Sequence, residues 1–277
     1  MISTAARVLA LLAFALSTPV QAANLPRADA VPGGVAVVEL GTVLDYSEAP
    51  KARFGERPVW VTIRDGRYLA VVGLPLDTPV GQQTLQIVAP AGTRELNFPV
   101  ADKRYPEQRI QLKDNGKVNL SPADEQRAVA EIARIGELKK YWREAKDTDA
   151  AFTLPSQGRL SSRFGLRRFF NGEARAPHSG LDVAVPRGTP VGSVAPGKVL
   201  AVDDYFFNGK TVFVDHGNGL LSMVCHLDRI DVRPGDSVTR GQLLGLSGMT
   251  GRASGPHVHW SVVLNGAMVD PALFLPR

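Results

Sequence analysis

GPHVHWSVVLNG (residues 255–266) sets two histidines one residue apart, behind a Gly-Pro step and ahead of an apolar run that ends in Asn-Gly. The run Val258–Leu264 is short, β-branched and bounded by turn residues, so it predicts a strand. In a strand, side chains i and i+2 share a face. His257 and His259 then project side by side while Val258 turns to the other face. Two neighbouring imidazoles suit a metal ligand beside a proton-transfer group, and an isolated H-x-H fits a pair of surface histidines equally well. The chain has only five histidines in 277 residues.

The stretch PHSGLDVAV (177–185) adds His178 and Asp182, four apart, where Gly180 and the following β-rich run predict a turn leading into a strand. Two imidazoles and a carboxylate form a zinc ligand set that leaves a fourth position open, as in a catalytic rather than a structural site. A structural site would bring more cysteines, and Cys225 is the only one. The runs LDVAVP (181–186), GKVLAVDDY (197–205) and KTVFVDHGNGLLSMVCHL (210–227) predict further strands joined by glycine turns. Among these, VDHGNGLL predicts a hairpin turning at Gly217-Asn218-Gly219. Cys225 reads as a small buried hydrophobe and His216 as a polar residue of the hairpin.

In order along the chain, HSGLD, then CHL, then GPHVHW resemble the lysostaphin-type (LytM-domain) zinc metallopeptidases, which cut peptidoglycan peptides. LSSRFGLR (160–167), DVAVPRGTPV (182–191) and VDHGNG (214–219) extend the match, which covers about residues 152–275. The resemblance implies that His178, Asp182 and His259 hold one Zn2+ per chain and that His226 and His257 are the catalytic histidines. It also implies an endopeptidase acting on peptide cross-links of peptidoglycan. One departure is Val224, two residues before His226, where the family often has a tyrosine. Relatives lacking zinc ligands act as non-catalytic activators of other wall hydrolases, and that reading is the alternative here.

Ahead of residue 151 nothing carries evident chemistry. Runs such as VAVVEL (35–40), PVWVTI (58–63), RYLAVVGL (67–74), TLQIVA (84–89), ELNFPV (95–100) and RIQL (109–112) predict an Ig-like N-terminal β-sandwich over 23–115. Residues 116–150 read as a helical linker. Its helix starts at Pro122 behind a capping Ser121, has Asp124 and Glu125 in the first turn, and runs to about Ala145. Val129, Ile132, Ile135, Leu138 and Trp142 recur at helical spacing and predict a docking stripe. The expected architecture is mainly β, ending in an antiparallel-β metallopeptidase domain over 151–277.

Residues 1–22 read as a cleavable signal peptide: Arg7, an apolar run from Val8 to about Leu16, and small residues before Ala22. That run is too short to cross ~30 Å of hydrocarbon. A periplasmic or secreted, monomeric protein follows, without stable membrane insertion. Beyond residue 22, basic side chains outnumber acidic ones only in residues 151–277, by 13 to 9. Arg159, Arg163, Arg167, Arg168 and Arg175 fall within 17 residues there. Export argues against nucleic acid as the partner of this cluster. An anionic wall polymer fits it, with Arg163, Arg167 and Arg168 as candidate substrate contacts, and a solvated basic face fits equally.

Overall fold

The computed structural model describes residues 24–111 and 120–276. The expected signal peptide 1–22 lies outside the described residues. Seven strands come first: β1 (Val35–Thr42), β2 (Lys51–Phe54), β3 (Arg57–Arg64), β4 (Arg67–Gly73), β5 (Gly81–Ala89), β6 (Gly92–Val100) and β7 (Glu107–Ile110). Six of them form one antiparallel path in the order β1-β4-β3-β2-β5-β6. The continuity comes from β3, whose first half (Arg57–Val59) pairs with β2 and whose second half (Trp60–Arg64) pairs with β4.

Both halves feed one core through alternate residues: Ala36, Val38 and Leu40 of β1, Ala70 and Val72 of β4, Leu85 and Ile87 of β5, Phe98 and Val100 of β6. The opposite phase is buried as well. Val35, Trp60 and Val71 belong to a second, larger core built mainly from residues 150–274. A strand layer covered on both faces accounts for the nearly unbroken apolar runs VAVV and LAVV. The two halves of the chain are thus fused through a shared core, clasped by Asn265, whose amide donates to Gly73 O and accepts from Gly73 N.

The run RIQL does not stay with the N-terminal strands. β7 instead pairs in parallel with β9 (Arg167–Phe170), which lies between β7 and β10 (Glu173–Ala174) in a three-stranded sheet. The segment leading into β7 is anchored by Tyr105. Its ring lies against Gly165, where an added Cβ would come within 2.0 Å of it, and its hydroxyl donates to Pro32 O.

Helix α1 (Pro122–Lys139) starts as expected, with Ser121 Oγ accepting from Asp124 N and proline in the first turn. It stops short of Ala145 because Trp142 and Arg143 have tertiary partners. The Trp142 ring sits over Gly219, and Arg143 forms an ion pair with Asp215, itself 2% exposed. The expected stripe divides. Ile135 and Leu138 pack on Tyr205, Phe213, Met223 and Cys225, whereas Val129 and Ile132 are exposed.

The remaining strands are β8 (Arg159–Ser162), β11 (Leu181–Ala184), β12 (Pro190–Gly192), β13 (Gly197–Tyr205), β14 (Gly209–Gly217), β15 (Leu220–Ile230), β16 (Ser237–Val238), β17 (Leu243–Ser247), β18 (Val258–Leu264) and β19 (Ala267–Val269). They make a ten-stranded antiparallel sheet with the path β16-β13-β14-β15-β18-β11-β8. The β14–β15 turn is Asn218-Gly219, with φ of 52° and 72°. Two consecutive positive φ angles are what a tight two-residue hairpin turn requires and what Asn-Gly supplies. Among the described residues no helix is long and apolar enough to cross a membrane.

His216 closes this hairpin as a buried structural residue, its Nδ1 donating to Pro196 O at 2.7 Å and its Nε2 2.8 Å from Ser222 Oγ. Burial pushes its pKa down to about 4. Below pH ~6.5 the unfolded chain takes up a proton that the folded chain refuses until about pH 4, so stability falls as pH drops through that window. The depression corresponds to about 3 kcal/mol. His216→Gln is expected to flatten the fall in urea midpoint between pH 7 and pH 4.5. Identical pH slopes in variant and wild type would refute the assignment.

Candidate active site

Neighbouring strands bring the predicted residues together. β11 and β18 pair with Asp182 directly opposite His259, and β15 pairs on the other side of β18 with Cys225 opposite His259. His178 enters from the turn before β11. Gly180 lies in that turn because a Cβ there would meet Trp260 O at 2.4 Å and the His259 ring at 2.8 Å.

His178 Nε2 lies 3.0 Å from Asp182 Oδ1 and 3.0 Å from His259 Nδ1, and the third edge, His259 Nδ1 to Asp182 Oδ1, is 2.9 Å. Bonds of ~2.0–2.1 Å in a tetrahedral zinc site put ligand atoms ~3.4 Å apart, so the triangle is only slightly tight for such an ion. The donor chemistry agrees. His178 Nδ1 lies 2.9 Å from Arg163 O, and a carbonyl can only accept, so that nitrogen carries the ring proton. The Nε2 lone pair then faces a carboxylate oxygen and a second imidazole nitrogen. Three electron-rich atoms this close require a cation or a shared proton among them. Burial disfavours the Asp182 carboxylate, yet the adjacent His178 and His259 rings hold its pKa well below the usual range. Burial lowers the pKa of His259, which keeps its ring available as a neutral donor to a metal.

His226 and His257 flank the triangle. Their ring centroids are 4.7 Å apart, and His257 Nε2 lies 3.8 Å from Asp182 Oδ1. Each presents Nε2 as a free acceptor, because His257 Nδ1 donates to Gly255 O at 2.8 Å and His226 Nδ1 to Thr250 O at 2.9 Å. His226 has a φ of +62° at a bulge where Cys225 and His226 together oppose Thr211. Such a conformation is costly for a residue with a side chain and persists where its surroundings enforce it. Here His226 N donates to Asn208 O. Burial, followed by the nearby His257 and His259, pushes the His226 pKa down to about 4. Cys225 is fully buried opposite, its thiol pushed up to about 12 by burial.

The three candidate arginines do not act as one patch. Arg168 reaches Ser162 Oγ at 3.2 Å, and Ser162 Oγ lies 3.3 Å from His178 Nδ1. Arg163 offers its carbonyl to His178 while its side chain is exposed. Arg167 turns away to pair with Glu107 of β7 at 3.4 Å. Sequence reasoning missed Ser162, Ser261 (Oγ 2.8 Å from His259 Nε2), Asn208 and Thr250. Ser261 was within reach, being two residues after His259 on the same strand face. Asn208 and Thr250 carry no comparable signal.

Two family models match the chain: peptidase family M23 over residues 176–271 and the peptidase family M23 N-terminal domain over residues 28–103. A crystal structure of a Pseudomonas aeruginosa chain assigned to peptidase M23 is 44% identical, with a TM-score of 0.75, and the match covers 89% of this chain and 95% of that one. Peptidoglycan DD-endopeptidase ShyA of Vibrio cholerae is 40% identical over 120 residues, 43% of this chain and 28% of that protein. DD-carboxypeptidase/endopeptidase Mpg of Neisseria meningitidis is 35% identical over 113 residues, 41% of this chain and 26% of that protein. The matches therefore span under a third of the length of these curated relatives. With the N-terminal and catalytic models in sequence order and a near full-length match in a solved structure, the chain belongs to peptidase family M23.

Proposed function

We propose that this protein is a zinc-dependent endopeptidase that hydrolyses peptide cross-links of peptidoglycan outside the cytoplasm. The observation that carries the reading is the convergence of His178 Nε2, Asp182 Oδ1 and His259 Nδ1, flanked by two histidines whose Nε2 atoms are free. The name of the Vibrio cholerae relative supplies the substrate class. One zinc ion per chain would be held by His178, Asp182 and His259, and when bound it supplies Lewis acidity toward the scissile carbonyl and the attacking water.

The protein's own part is proton transfer and charge stabilisation. A neutral histidine with Nδ1–H fixed on a backbone carbonyl has one free base, and His226 and His257 each have that form. The ring that takes the water proton becomes an imidazolium able to donate to the leaving amine. The second ring, when its Nε2 has taken a proton from solvent before the attack, can hydrogen-bond the developing oxyanion. Arg143, Asn208 and Thr250 serve only to hold the strands and rings in place.

Intact peptidoglycan incubated with the zinc-loaded protein is expected to lose cross-linked muropeptides and gain monomers, read by mass spectrometry, and a chelator is expected to stop the change. An unaltered muropeptide profile at full zinc occupancy would overturn the reading and leave the activator alternative. The extracytoplasmic location rests on the substrate class and on the leader-like sequence of residues 1–22.

A further inference from the structure

A cavity of about 750 Å³ lies where the two halves of the chain meet, lined by Pro32, Leu76 and residues 102–105 and 107 on one side and by Gly165, Arg167 and Pro177 on the other. Its volume is in the range of small-ligand sites, ~300–1,000 Å³. The walls are fixed by contacts already described: the Tyr105 ring on Gly165 and on Phe164 (centroids 6.1 Å apart), the Tyr105 hydroxyl on Pro32 O, and the β7–β9 pairing.

Three cations and two carboxylates line it. Lys103 is held by Asp29 at 2.7 Å, and Glu107 is engaged by Arg109 at 2.9 Å and by Arg167 at 3.4 Å. Arg104 is exposed and has no ion-pair or hydrogen-bond partner among the described residues. It is the uncommitted cation of the cavity, and a guanidinium fork binds a carboxylate bidentately. Pro177, a lining residue, immediately precedes His178 of the metal-binding triangle in the chain. Three or four residues of extended peptide, at ~3.3–3.6 Å each, span ~10–14 Å.

Building on the peptidase reading, we infer that this junction is a substrate subsite, in which Arg104 of the N-terminal half binds a free carboxylate on one arm of the cross-linked peptide. The N-terminal half then contributes to substrate recognition directly, through the segment that follows its family-matched region and reaches over to β9.

The test uses the full-length protein stripped of metal by a chelator, so that binding is read without cleavage. Two soluble cross-linked stem-peptide dimers are titrated calorimetrically, one with free terminal carboxylates and one with those carboxylates amidated. Wild type is expected to bind the free-carboxylate dimer at least about fivefold more tightly, Arg104→Glu to lose that preference, and Arg104→Lys to regain part of it. Equal binding of the two dimers by wild type, no binding of either, or an undiminished preference in Arg104→Glu would each overturn the subsite. Cleavage by the zinc-loaded wild type is measured in parallel. Absence of cleavage with a carboxylate preference intact would sink the peptidase reading and leave the subsite standing.

Discussion

Asp182→Ala is expected to lose bound zinc and to lower peptidoglycan hydrolysis by at least ~10³-fold, toward the upper end of what a lost catalytic group costs. The carboxylate forms two edges of the triangle, at 3.0 Å to His178 Nε2 and 2.9 Å to His259 Nδ1. It is also the only negative charge in the set, held ionised by the adjacent histidines against the opposing effect of burial. Removing it leaves two neutral imidazoles, and two ligands without a counter-charge make an inadequate site for a divalent ion. Asp182→Asn separates charge from shape, since it keeps an oxygen in place but is neutral. If charge carries the effect, both variants empty the site while remaining folded, because Asp182, though buried on an interior strand, is not part of the apolar core. Zinc per chain measured by atomic absorption beside activity decides the matter. Full zinc and full activity in Asp182→Ala would sink the ligand assignment.

The parts of the fold and site visible in the sequence are those set by local rules. Period-two alternation put His257, just ahead of β18, and His259 within it on one side of the chain, Gly217-Asn218-Gly219 marked the hairpin, and Ser121-Pro122 marked the start of α1. Each depends on side chains within a few residues of one another. What escaped depends on partners distant in sequence. RIQL reads as one more N-terminal strand, yet β7 finds its partner in β9, some 60 residues later, because Tyr105 packs on Gly165 and delivers the chain there. Helical periodicity extends through Trp142, but the contacts of Trp142 and Arg143 with the β14–β15 hairpin override it. The continuous N-terminal sheet follows from β3 serving two neighbours, which an alternation pattern does not encode. At the site, strand alternation would set Cys225 and His226 on opposite faces, yet Cys225 is the register partner of His259 and the His226 ring also lies 6.1 Å from the His259 ring. Alternation does not reveal the bulge and the φ of +62° that aim the His226 ring at His257.

His257→Ala and His259→Ala are expected to fail in different ways, although the residues are neighbours on one side of the chain. His259 Nδ1 is a vertex of the triangle, and its Nε2 is held by Ser261 Oγ at 2.8 Å, so the whole ring is committed to its position. Its removal takes away a ligand atom, and zinc content and activity should fall together. His257 Nε2 stands 3.8 Å from Asp182 Oδ1, outside hydrogen-bond range of the triangle but beside it, with Nδ1 anchored on Gly255 O. Nothing in the triangle depends on that ring for its orientation: His178 is fixed by Arg163 O, and Asp182 and His259 by the β11–β18 pairing. His257→Ala should therefore retain most of its zinc while turnover drops by ~10²–10⁴, the range for a lost general base or oxyanion donor. His226→Ala should behave like His257→Ala, and it also relieves no ligand of its support, since His226 is tied to Asn208 and Thr250 rather than to the triangle. Zinc stoichiometry and turnover measured on the same preparations separate the two classes. An empty site in His257→Ala together with a loaded one in His259→Ala would reverse the assignment of the two histidines.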